Sequence, residues 1–201
     1  MSALRKVETH YTYADYAKWD TDERFELIDG VPYAMASPSW KHQQVLGNLH
    51  LMLGNELAKQ KQRKCRIVLN FDTRLKANKA NKRDDTVVQP DLAIICDPSK
   101  ISENSIIGAP DFVVEILPPS NSRYDLRVKF AKYREAGVRE IWFIDPYDEV
   151  VFVYWLNGTG NEIYAGNVHS PEDKIPVRIL PDFFLDGVDI FEDGDVMNDG
   201  D

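Results

Sequence analysis

Apolar residues recur along this 201-residue chain in distinct rhythms, each of which predicts a different element. Between Ser39 and Lys61, Leu46, Leu49, Leu53 and Leu57 return every three or four positions, the stripe of one long amphipathic helix. Leu92 to Cys96 and Phe112 to Leu117 are short continuous apolar runs, as in strands covered on both faces. Arg24 to Ile28 and Val31 to Ala36 flank Asp29-Gly30, a favoured tight-turn pair, and so predict a hairpin. Pro32 then has to lie at an edge or a bulge. Thr12 to Trp19 reads as a short helix capped by Thr12, and Ser122 to Ala136 as a helix capped by Ser122 and ended by Gly137. Cys65 to Phe71, Asp72 to Leu75, Val138 to Ile144 and Val150 to Trp155 read as further strands. The turns Asp145-Pro146-Tyr147-Asp148 and Asn157-Gly158 and a polar loop from Ala77 to Asp85 complete the pattern.

No internal repeat or low-complexity linker interrupts these elements. They predict one α/β (α+β) domain over residues 12–187, with an N-terminal arm over 1–11 and an acidic tail over 188–201. Phe183, Phe184 and Leu185 form the last expected ordered stub. No apolar run approaches the ~18 residues that span a bilayer, and residues 1–11 lack the apolar stretch of a signal peptide. The two cysteines, Cys65 and Cys96, form no C-x-x-C pair and read as free, largely buried thiols in a reducing compartment, which predicts a cytoplasmic protein.

Net charge is −9, which argues against a nucleic-acid partner until its distribution is considered. Between Lys59 and Arg83 ten basic residues face a single acid, Asp72, while Asp182 to Asp201 hold eight acids and no base. An acidic body with a basic flank is compatible with phosphate binding, although Lys59 to Lys64 is equally the solvated end of a helix. Lys64, Arg66, Arg74, Lys76, Lys79, Lys82 and Arg83 are the candidate backbone-gripping residues.

Three carboxylates stand where carboxylates are costly. Asp91 opens one apolar run, Glu115 sits inside the other, and Glu26 precedes the Asp29-Gly30 turn. A buried, unpaired carboxylate costs several kcal/mol or more, so each needs a partner. Either a buried arginine or lysine or a shared divalent cation would serve, and hard oxygen donors suit Mg²⁺ or Mn²⁺. Adjacent strands would bring Asp91 and Glu115 together. Lys129, on the helix leaving the Glu115 strand, is either a surface partner of Asp125 or a group that orients water and offsets charge at a phosphate.

These residues fall into an ordered set of motifs. Phe25-Glu26-Leu27-Ile28-Asp29-Gly30 is followed by Pro90-Asp91-Leu92, then by Pro110-Asp111-Phe112-Val113-Val114-Glu115-Ile116-Leu117. Asp125-x-x-x-Lys129-x-x-x-Tyr133 and Gly137-Val138-x-Glu140-x-Trp142-x-x-Asp145-Pro146 complete it. The set resembles the Uma-two family of restriction-endonuclease-like proteins, within the PD-(D/E)XK nuclease superfamily, over roughly Tyr13 to Leu185.

The resemblance implies a restriction-endonuclease-like core, a central mixed β-sheet flanked by helices, with the N-terminal hairpin and long helix attached. It also implies metal-assisted phosphodiester hydrolysis. Asp91 corresponds to the aspartate of the PD motif and Glu115 to the acid that follows. Leu117 occupies the slot where the superfamily pattern has a lysine, and Lys129 resembles the migrated lysine of this family. Glu26 resembles an extra N-terminal glutamate. His42, one turn before Leu46, stands where related chains often carry a histidine, and is otherwise a packing or capping residue.

The expected protein is thus a Mg²⁺- or Mn²⁺-dependent endonuclease acting on DNA. Asp91, Glu115 and Glu26 are its metal ligands; Lys129 and His42 join Asp91 and Glu115 as catalytic residues. A catalytically inactive nuclease-fold DNA-binding or assembly module is the alternative, and a homodimer, to which the strand from Val150 to Trp155 contributes a surface, is the expected assembly.

Overall fold

The computed structural model describes residues 10–60, 64–76, 84–119, 122–157 and 164–193, with the side chains of 122–125 outside that description. Helix α1 (Tyr13–Tyr16) leads into the hairpin β1 (Phe25–Ile28) and β2 (Val31–Ala34), then into the long helix α2 (Trp40–Lys59). Strands β3 (Arg66–Leu69), β4 (Thr73–Arg74), β5 (Val87–Val88), β6 (Leu92–Ile95), β7 (Ile106–Ile107) and β8 (Phe112–Ile116) follow. After α3 (Ser122–Ala136) come β9 (Glu140–Asp145), β10 (Val150–Leu156), β11 (Tyr164–His169), β12 (Lys174–Pro176), β13 (Phe184–Asp186) and helix α4 (Gly187–Phe191). The arm over 1–9, the loop over 77–83, Gly158 of the expected Asn157-Gly158 turn, the Ser122 cap and the tail over 194–201 lie outside the described residues.

Among the described residues the central sheet is mixed and six-stranded, in the order β11-β10-β9-β8-β6-β3, with only β8 and β9 parallel. A smaller sheet, ordered β2-β1-β5-β4-β7, packs the hairpin beside it. Strands β12 and β13 form a separate pair. The hairpin turns at Asp29 and Gly30, with φ of 50° and 79°. Two positive-φ residues match the right-handed twist of the flanking strands, which explains the Asp-Gly pair. A Cβ on Gly30 would fall 2.4 Å from the His10 ring. Pro32 takes the predicted edge position, since β2 has a single partner strand.

Helix α2 starts as its sequence dictates, with Ser39 Oγ accepting the His42 backbone N–H. Its stripe, Val45, Leu46, Leu49, Leu53 and Leu57, is buried against Leu92, Ile94, Phe112, Val114 and Ile116 of the sheet. Each leucine so buried contributes roughly 1.5–3 kcal/mol relative to exposure. The opposite sheet face, with Val113, Leu117, Ile141 and Phe143, packs on Tyr133 of α3. Strand alternation therefore puts Glu115 on the α3 side.

Three expectations require correction. Cys65 and Cys96 are joined by a disulfide rather than free. They extend the antiparallel β3–β6 register, in which Arg66 pairs with Ile95, so strand pairing brings the thiols face to face. The thiol-based argument for a reducing compartment loses its premise. The acidic tail does not begin at 188: α4 runs to Phe191, buries Ile190, and has its last carbonyls capped by Gln44 and Asn48 of α2. The apolar strand from Val150 has no free edge, because β10 lies between β9 and β11, and Val151 and Val153 are fully buried. No helix among the described residues is long and apolar enough to cross a membrane.

Candidate active site

The register between β6 and β8 explains how the central acids meet. Leu92 pairs with Val114, Ala93 with Val113 and Ile94 with Phe112. One further step sets Asp91 opposite Glu115, just where the ladder stops. There Asp91 Oδ2 accepts the Ile116 N–H at 2.7 Å, taking the place of a backbone acceptor. Glu26 arrives from the small sheet, with its Oε1 accepting the Gln89 backbone N–H at 2.9 Å. Because Gln89-Pro90 is the chain's passage from β5 to β6, this bond holds Glu26 beside Asp91.

Helix α3 supplies the cation. Lys129 Nζ stands 2.9 Å from Glu26 Oε1 and 2.9 Å from Glu115 Oε2. One turn on, the fully buried Tyr133 donates its hydroxyl to Glu115 Oε1. Helix α2 supplies His42, whose Nε2 lies 3.1 Å from Asp91 Oδ1. His42 Nδ1 is buried without a hydrogen-bond partner among the described residues. Glu26, Asp91, Glu115, Lys129 and His42 all line one cavity of about 590 Å³.

Three carboxylates and one ammonium leave this cluster short of positive charge, and the ionisations show it. Burial pushes the Glu115 carboxyl up to about 8; Lys129 works against the rise, while Asp91 and Glu26 add to it. Burial alone would lower the Lys129 ammonium, but Glu115, Glu26 and Asp91 outweigh it and hold the group above the usual lysine range. Burial, reinforced by Glu115, likewise keeps the Tyr133 hydroxyl protonated.

The donor set fits a divalent cation in chemistry: three hard oxygen groups, a deficit of positive charge and an accessible cavity. Among the described residues no three acid, histidine or cysteine side chains stand close enough together to hold an ion as they are. Magnesium commonly takes only one or two carboxylates and keeps its remaining ligands as water and phosphate, so Asp91 with Glu115 is a sufficient pair.

Among the described residues, the basic flank does not line this cavity. Lys64 and Arg66 are exposed at the edge strand β3. Arg74 is held by Asp84, with Nε to Oδ2 at 2.8 Å, and lies 4.2 Å over the Tyr13 ring. Lys76 meets Asp29 and stands 3.5 Å from Asp85. Carboxylates thus already hold two of the charges expected to grip a backbone. Lys79, Lys82 and Arg83 lie outside the described residues, as does the side chain of Asp125. Sequence reasoning assigned no role to Tyr133 or Arg24. The four-residue spacing from Lys129 marks Tyr133 as a neighbour on the same helix face, whereas Arg24, which lines the cavity, carries no comparable signal.

The fold and motifs have counterparts in known proteins. A crystal structure titled as that of "a putative nuclease belonging to DUF820" from Anabaena variabilis superposes with a TM-score of 0.72. The superposition covers 90% of this chain and 97% of that one at 23% identity, a likeness of fold. The "Uncharacterized protein slr1290" of Synechocystis sp. is 31% identical over 169 residues, covering 83% of this chain and 84% of that protein. The model of the Uma2 family, described as "Putative restriction endonuclease", matches residues 13–186, an interval containing every acid of the cavity and the lysine that bridges two of them. The chain belongs to the Uma2 family.

Proposed function

We propose that this protein is a Mg²⁺- or Mn²⁺-dependent endonuclease that hydrolyses phosphodiester bonds of DNA. One observation carries the reading: Asp91 and Glu115 face each other at the end of a split ladder, in the same cavity as Lys129. Asp91 and Glu115 would hold the ion, with Glu26 as a further direct or water-mediated ligand. When bound, the ion supplies Lewis acidity toward the phosphate and a more acidic water. Lys129 stays protonated, positions the attacking water and offsets charge gathering on the phosphate. Tyr133 and Lys129 fix the orientation of Glu115, and His42 does the same for Asp91.

A second reading, a non-catalytic nucleic-acid-binding or assembly module, is favoured by one observation. Lys129 already satisfies two of the acids without any ion. Cleavage of single- and double-stranded DNA in Mg²⁺ and Mn²⁺, by the parent protein and by Glu115→Gln, separates the two. The nuclease reading expects turnover by the parent and its loss in a folded variant. Binding without turnover on any nucleic acid in either metal rejects it.

A further inference from the structure

An acidic cavity repels a polyanionic strand unless some cation in it remains available. Lys129 is bound to two carboxylates, and Arg74, Lys76, Lys132 and Arg139 each face one as well. Arg24 is different. It lines the same cavity as Asp91, Glu115 and Lys129, and its hydrogen bonds go to neutral amides. Nε and Nη2 donate to Gln89 Oε1 at 3.0 and 2.6 Å, and Nη2 also donates to Asn70 Oδ1 at 3.2 Å.

The Gln89 amide is itself held, and the Asn70 backbone is anchored to the Pro90 and Asp91 carbonyls. Asn70 adopts φ of 48°, a left-handed conformation that asparagine tolerates at some cost, and also lines the cavity. Gln89 donates its side-chain amide to Tyr16 and Asp72, and its backbone N–H to Glu26 Oε1. A single residue thus orients the guanidinium and one of the site's acids. Asp72 lies within electrostatic reach of Arg24, but its Oδ1 accepts from Tyr16 and Gln89. A guanidinium whose own hydrogen bonds go to neutral acceptors still presents N–H donors, the geometry that takes phosphate oxygens.

We infer that Arg24 is a phosphate-binding residue of the cavity, holding a substrate phosphate other than the one at the acids. This rests on the nucleic-acid reading above. The group held is either a neighbouring phosphodiester of the strand or a terminal phosphomonoester; both offer the same oxygens.

The test is equilibrium binding of short labelled DNA oligonucleotides, by fluorescence anisotropy in the presence of a chelator. Parent, Arg24→Gln and Arg24→Lys proteins are compared across a salt series. One set of oligonucleotides differs only in the 5′ phosphate; another places a single neutral methylphosphonate at successive linkages. Arg24→Gln is expected to weaken binding about tenfold and to flatten the salt slope by nearly one contact, with Arg24→Lys between it and the parent. At one linkage, or at the 5′ end, removing the charge should cost the parent affinity but cost Arg24→Gln nothing more. That position identifies which phosphate is held. Should Arg24→Gln fail to fold, Arg24→Lys and the methylphosphonate series carry the test.

Equal affinity of parent and Arg24→Gln overturns the inference. So does a methylphosphonate penalty identical in both proteins at every position, or a parent that binds no oligonucleotide. Arg24-dependent binding by a parent that cleaves nothing in Mg²⁺ upholds this inference while rejecting the nuclease reading. Cleavage combined with Arg24-independent binding does the reverse.

Discussion

Replacing Lys129 by methionine removes the cation between Glu26 and Glu115 while nearly preserving side-chain volume. Each pair has its nitrogen and oxygen 2.9 Å apart, and the lysine side chain is only 13% exposed. Each attraction is worth about 6 kcal/mol at an effective dielectric of about 20, before desolvation is subtracted. Breaking a buried pair by deleting one partner costs roughly 3–5 kcal/mol net.

Proton uptake limits the cost. Glu115 has a folded pKa above its ordinary 4.5, so it binds protons more tightly folded than unfolded. Stability tied to it is complete below about 4.5 and is lost as pH rises through about 8. Without Lys129 that folded value climbs further, so the loss deepens on the alkaline side. The variant should therefore be most destabilised near pH 8 and much less near pH 5. For a chain of this size roughly 3–5 kcal/mol corresponds to a melting temperature lower by about 6–20 °C. Thermal melts of parent and variant across this pH range, in chelator, measure it. A deficit that is equal at both ends of the range, or below about 2 °C near pH 8, refutes the electrostatic account.

Two further outcomes follow from features away from the cavity. Reducing the Cys65–Cys96 disulfide, or replacing both residues by serine, should cost about 3–4 kcal/mol, since it frees a loop of 31 residues in the unfolded chain. Urea titrations with and without reductant check this, and an unchanged midpoint contradicts it. Asp29→Asn keeps a residue that accepts the left-handed turn but removes the carboxylate shared by Lys76 and Lys132. The loss should be only about 1 kcal/mol and should shrink in high salt, because Asp29 is half exposed; melts at two salt concentrations read it.

The parts legible in the sequence are those encoded locally. Asp91 and Glu115 stand out because each interrupts or opens an apolar run, and two antiparallel runs of that kind have few registers available. The stripe of α2 and the Asp-Gly turn are equally local. By contrast, β5 and β7 contain two residues each and exist only through their pairing partners, so no periodicity announces them. The cysteines lie 31 residues apart and meet only through the β3–β6 register. Lys129 could be placed on its helix but not assigned its two acids, and Arg74 and Lys76 looked available because only the fold turns Asp84 and Asp85, just beyond Arg83, and Asp29 of the hairpin turn onto them. Arg24 is an ordinary hairpin arginine until its hydrogen-bond acceptors prove to be neutral amides.

The bond from the Ile116 amide to Asp91 makes the cavity visible to a spectroscopist. That amide is part of the sheet's backbone, yet its acceptor is one of the two oxygens of a side chain that faces the cavity. Anything that draws electron density from Asp91 must weaken this acceptor, so the amide proton of a single residue should move upfield and exchange faster. One resonance would then report events in the cavity in real time, without label, substrate or turnover.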